Sequence, residues 1–78
     1  MDKIEMRFGQ RVKELRLKQN ISQEELAFRC GLSKNYISDV ERGTRNISLK
    51  SIEKIAEGLA IRIKELFEFK YGVDVMGF

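Results

Sequence analysis

The sequence predicts an all-helical fold with a helix-turn-helix at its centre, on three observations. Three serines each follow an apolar residue and precede another by four positions: Ile21, Ser22, Leu26; Leu32, Ser33, Ile37; and Ile47, Ser48, Ile52. In each set the hydroxyl can accept an orphan backbone N–H of a first helical turn, while the apolar pair staples the chain's entry. Gly31 and Gly43 stand where the chain must leave a helix in the left-handed conformation that a side chain disfavours. Apolar residues otherwise recur at helical spacing, and no proline interrupts them.

The elements follow in order. Ile4, Phe8, Val12 and Leu15 form one apolar stripe over a first helix of residues 3–18, which Asn20 can end because Asn tolerates positive φ. A second helix covers 23–30, with Leu26, Ala27 and Cys30 facing inward; Glu25 completes a capping box by returning its carboxylate to the Ser22 amide. The third runs from Lys34 to Arg42 and buries Ile37 and Val40, which leaves Lys34, Asn35, Tyr36, Ser38 and Asp39 outside. The fourth, Leu49 to Leu59, puts Leu49, Ile52, Ile55, Ala56 and Leu59 on its apolar side. A fifth, over 63–70, carries Ile63, Leu66, Phe67 and Phe69, more apolar surface than one small core covers. A second copy of the chain is therefore expected to cover part of it, with those four residues at the homodimer interface. One domain results, with its core over 3–70. In the tail, 71–78, Val73, Val75 and Phe78 alternate with Asp74 and Gly77, a pattern open to a strand across a dimer or to a frayed end.

Composition narrows the function. The net charge of +3 is unevenly spread: residues 1–19 hold six cations against three acids, whereas 47–78 balance five against five. Lys3, Arg7, Arg11, Lys13 and Lys18 read singly as a solvated helix face and together as a flank for a phosphate backbone. The chain has no His and one Cys, which the second helix buries, so no base-activated nucleophile and no metal-ligating cluster is in view. The expectation is a non-enzyme with no cofactor, no metal and no small-molecule substrate. A single Cys suits a reducing compartment. With no leader or membrane-spanning run in the sequence, the expected location is the prokaryotic or phage cytosol, with no membrane partner.

In a helix-turn-helix the second helix presents its first residues to base edges in the major groove while the first crosses the backbone. The third helix of this chain has the side chains for that task. Lys34 can donate to guanine O6 or N7, Asn35 can pair with adenine N6 and N7, Tyr36 can touch a thymine methyl or a phosphate, and Ser38 suits either partner. Asp39 can accept from cytosine N4 or sit beside Arg42. Gln23, first in the second helix, can grip a phosphate with its amide and its backbone N–H. Ser33, Arg42, Thr44, Arg45 and Asn46 join it as backbone contacts, and Arg45 can also enter a narrowed minor groove. Arg16, beside Leu15, and Glu41, beside Val40, are expected to form an ion pair that orients the third helix.

The combination of SQEELA at 22–27, GLS at 31–33, YISDVERG at 36–43, SLKSIEKIAEGL at 48–59 and ELF at 65–67 resembles the phage-repressor, Cro and Xre-like helix-turn-helix family. The resemblance extends over about residues 7–69. It implies a five-helix, lambda-repressor-like domain that binds double-stranded operator DNA as a homodimer, with Gln23 on a phosphate, Lys34, Asn35, Tyr36 and Ser38 near bases, and Arg16 paired with Glu41. Within that family KNYIS at 34–38 and TRNISL at 44–49 are similar to controller proteins of restriction-modification systems, small dimeric regulators that activate or repress their own operon. RNA polymerase is then a candidate partner. The pattern departs at Ala60 and Arg62, where family members often place Gly and a small capping residue. A competing reading is an antitoxin or protein-interaction module of the same fold, whose apolar tail a toxin would order.

Overall fold

The computed structural model describes residues 3–69. Helix α1 spans Ile4–Lys18, α2 Gln23–Cys30, α3 Lys34–Arg42 and α4 Leu49–Leu59, and a 3₁₀ helix, Ile63–Phe67, closes the fold. The three serine starts are as expected. Ser22, Ser33 and Ser48 are N-caps whose hydroxyl oxygens accept the N–H of Glu25, Tyr36 and Ser51 at 3.0, 3.0 and 3.1 Å. At Ser22 only half of the capping box forms, because the Glu25 carboxylate accepts Arg29 Nε at 3.0 Å instead of turning back.

All four α-helices end in one way. Asn20, Gly31, Gly43 and Ala60 adopt φ of 58, 70, 74 and 58°, and the next residue's N–H reaches back to the carbonyl five positions earlier, as from Leu32 to Ala27 at 2.9 Å. At Ala60 a methyl-bearing residue takes the left-handed conformation, at a cost of about 1 kcal/mol that Gly would spare. The departure noted in the sequence thus leaves the geometry of the turn intact.

Phe8, Val12 and Leu15 of α1, Leu26, Ala27 and Cys30 of α2, Ile37 and Val40 of α3, Ile55, Ala56 and Leu59 of α4, and Leu66 make a single buried core. Ile4 and Leu49, placed on apolar stripes by their spacing, are 53% and 85% exposed. Each is the first residue of its helix.

The fifth element differs from the expected α-helix over 63–70. It is 3₁₀ and stops at Phe67, where the Glu65 carbonyl accepts both the Glu68 N–H, at 3.4 Å, and Arg11 Nε, at 2.8 Å. Arg11 also pairs with Glu14 at 2.9 Å and reaches Glu68 at 3.6 Å. Grouped with the phosphate-flanking cations in the sequence, Arg11 is instead an inward latch between α1 and the closing turn. The tail over 71–78, and residue 70, lie outside the described residues. Among those described, no helix is long and apolar enough to cross a membrane.

Two helices meet at backbone distance where α1 crosses α3. A Cβ on Gly9 would overlap the Val40 carbonyl oxygen and sit 2.8 Å from that of Glu41. Gly9→Ala should therefore lower stability by about 2 kcal/mol, crowding outweighing the roughly 1 kcal/mol by which Ala is the better helix former. Urea denaturation measures this, and an unchanged or raised midpoint would refute the close approach.

Candidate nucleic-acid interface

The rotation of α3 about its axis is set from within. Ile37 and Val40 are 0 and 2% exposed, and their burial leaves Lys34 and Asn35 exposed at the helix N-terminus, with Tyr36, Ser38 and Asp39 half-buried beside them. Among the described residues, Lys34 and Asn35 engage no neighbour through their side chains, so their donors and acceptors are open to an outside partner.

Glu41, buried on α3 beside Val40, fixes the helix to its neighbours. Its carboxylate takes Arg16 in a two-pronged contact, Nε to Oε2 at 2.6 Å and Nη2 to Oε1 at 3.1 Å, with both side chains under 10% exposed. Arg16 Nη1 donates to the Ile21 carbonyl at 2.8 Å, tying the end of α1 to the start of α2. The expected Arg16–Glu41 pair is present. It has a third member: Gln23 Nε2 donates to Glu41 Oε1 at 3.0 Å. That bond uses one of the two amide hydrogens that the sequence assigned to a phosphate, and it holds the other, with the α2 N-terminus, in a fixed position relative to α3.

A second polar cluster lies on the outer surface. The two oxygens of Asp39 are divided between Arg42, at 2.5 Å, and Arg45 Nη2, at 3.2 Å. Arg42 also donates to Ser38 Oγ at 2.8 Å, and the Arg45 guanidinium lies over the Tyr36 ring, 4.6 Å from its centroid. Thr44 donates both its N–H and its hydroxyl to the Asp39 carbonyl, closing the turn after α3. Of the two roles open to Asp39, the structure shows it beside Arg42. Ser38, Asp39, Arg42, Thr44 and Arg45 are thus one connected unit, Ser33 is engaged in capping, and Asn46 is exposed in the loop that follows.

A helix-turn-helix family model matches residues 12–66. The chain is 55% identical over 67 residues to the control protein C.BamHI of Bacillus amyloliquefaciens, covering 85% of this chain and 83% of that one. It is 46% identical over 68 residues to the control protein C.MunI of a Mycoplasma species, covering 86% and 92%. The crystal structure of the restriction-modification controller protein C.AhdI from Aeromonas hydrophila superposes with a TM-score of 0.79 at 51% identity, over 81% of this chain and 96% of that one. The chain belongs to the helix-turn-helix controller-protein family.

Within this family member the four residues expected at a dimer interface separate. Ile63 and Phe67 are 48% and 42% exposed, and Phe69 is half-buried with its ring 6.0 Å from that of Phe67. Leu66 is fully buried in the chain's own core and has no area to offer a partner. Leu49, 85% exposed, lines one groove with Ile52, Ile63 and Phe67. Its position as the first residue after the Ser48 cap was the available signal for exposure. Cys30 is buried against α4, where burial pushes its thiol up to about 11, so it packs as a protonated apolar filler.

If Glu41 orients α3 through Arg16, the two residues must be energetically coupled. Arg16→Met and Glu41→Leu should each cost about 3 kcal/mol by leaving a buried charge without its partner, and the double variant should lose at least 1 kcal/mol less than the sum, to roughly the precision of such cycles. Denaturation of the four proteins gives the coupling, and additive losses would exclude it.

Proposed function

We propose that this chain is a sequence-specific transcriptional regulator that binds a pseudo-palindromic operator as a homodimer and controls a restriction-modification operon. The observation that carries the reading is the pair of solvent-exposed, unengaged side chains of Lys34 and Asn35 at the N-terminus of a helix whose rotation the buried Ile37, Val40 and Glu41 fix. A rigid helix presenting Asn and Lys at its leading end is the geometry that bidentate contacts to adenine and guanine edges require. Gln23 at the start of α2 and Ser33 at the cap of α3, with Thr44 and Asn46 in the loop beyond the other end of α3, supply donors for phosphates.

One recognition helix reads only a few base pairs, so two copies are needed to define an operator. The exposed apolar groove of Leu49, Ile63 and Phe67 provides the self-complementary surface for that pairing, and Phe69 extends it. Two recognition helices related by a two-fold axis would address half-sites about 34 Å apart. The names of the similar proteins support the same role: control proteins and a restriction-modification controller are regulators.

Selection from a random DNA pool should return a two-fold-related sequence. On it, Asn35→Ala should relax preference at one base step of each half-site by about 1–3 kcal/mol. A uniform loss on all sequences would remove Asn35 from base reading. Leu49→Lys should leave the fold intact, since that side chain is 85% exposed where it lines the groove, and yield monomers in sedimentation with a half-site footprint. A dimer surviving that change would move the interface elsewhere.

A further inference from the structure

We propose that Asp39 is a positioning residue that limits sequence-independent DNA binding by holding Arg42 and Arg45 as internal ion pairs. The inference rests on the DNA-binding reading above and assigns a role within the same face. Two cations on an anion-binding surface would ordinarily be left free to meet phosphates. Here both are occupied. Arg42 lies on one oxygen of Asp39, and Arg45 is held on the other at 3.2 Å and from beneath by the Tyr36 ring at 4.6 Å. Ser38 gives Arg42 a further acceptor at 2.8 Å. The carboxylate is only 28% exposed, whereas the arginines are 61% and 47% exposed, so the acid is the fixed member and the cations are the ones that can change partner.

The consequence follows from how the two kinds of complex are stabilised. Binding to an arbitrary sequence draws almost wholly on phosphate neutralisation, and there each clamped arginine must leave Asp39, and Arg45 must also unstack from Tyr36, before it contributes. On an operator, Lys34 and Asn35 supply base contacts that need no such release. Asp39 therefore penalises non-specific binding more than specific binding. Its carboxylate, set among the residues that face the groove, adds direct repulsion of any phosphate placed carelessly against it. A direct acceptor role toward cytosine would instead make Asp39 matter at one base alone.

The test compares the chain with Asp39→Asn and Asp39→Glu, on the selected operator and on a shuffled duplex, across a salt series. The Thr44 bonds use the backbone carbonyl of residue 39, so the turn should survive the substitution, and a matching thermal melt verifies it. Asp39→Asn should bind the shuffled duplex about tenfold more tightly at low salt, with log affinity against log salt steeper by about 0.9 for each arginine released. The operator-to-shuffled ratio should fall several-fold. Asp39→Glu should restore the original slope, and Arg42→Gln with Arg45→Gln added to Asp39→Asn should abolish the extra slope. Equal gains on both duplexes, an unchanged slope, or a loss confined to one cytosine position would each overturn the clamp. A chain that prefers no sequence in the pool would instead sink the DNA-reading assignment itself.

Discussion

The Glu41 carboxylate is the point on which the arrangement turns. One buried group binds Arg16 from α1 and Gln23 from α2, so the three elements that must keep a fixed mutual angle share a single acceptor. Three donors fall on its two oxygens, and the guanidinium's third nitrogen, Nη1, donates to the Ile21 carbonyl where α1 gives way to α2. An ion pair this deep contributes little net stability, since removing both charges from water offsets most of their attraction. It is demanding in geometry. Hydrophobic contacts would tolerate α3 rotated by part of a turn, whereas a two-pronged guanidinium–carboxylate contact accepts one orientation.

Backbone packing imposes the complementary limit. Gly9 lets α1 rest directly on the carbonyls of Val40 and Glu41, and Gly43, with φ of 74°, lies against the backbone of Met6. The last turn of α3 and the bend after it are thereby pressed against α1. On the other side of the molecule Gly58 makes room for Cys30, joining α2 to α4 in the same manner. The glycines set separation and the polar network sets angle. Between them little freedom is left for the helix that carries Lys34 and Asn35.

How much of this is written locally explains what could be read from the chain. Helix starts depend on a cap and its staple, four residues apart, and helix ends on one residue with positive φ; both are short-range, and the boundaries of α2, α3 and α4 follow from them. The Arg16–Glu41 pair was also legible, because each residue neighbours a core position on its own helix. Contacts spanning the fold were not. Arg11 reaches Glu65 across 54 positions, and nothing near Arg11 distinguishes it from the exposed cations of α1. The closing turn that it latches is 3₁₀, and the shape of that last element and the inward fate of Leu66 were hidden with it. Leu49 shares the periodicity of Ile52 and Ile55, but periodicity gives direction around a helix and not depth beneath neighbours.

The interface chemistry divides by depth in a way that suits a reader of DNA. Arginine–carboxylate pairs occur both at Glu41 and at Asp39, yet the first is shut away from water and phosphate while the arginines of the second stand largely in solvent. Buried at under 10% exposure, the first cannot exchange partners without unfolding the helix junction, so it acts as a fixed joint. The second stands at the surface, where an ion pair is worth about 1 kcal/mol or less and an incoming phosphate can compete for the same guanidinium. A recognition face needs both: a frame that does not yield when DNA approaches, and surface cations whose release depends on what has approached. The sequence supplies them within three residues, since Asp39 and Glu41 sit on opposite sides of one short helix.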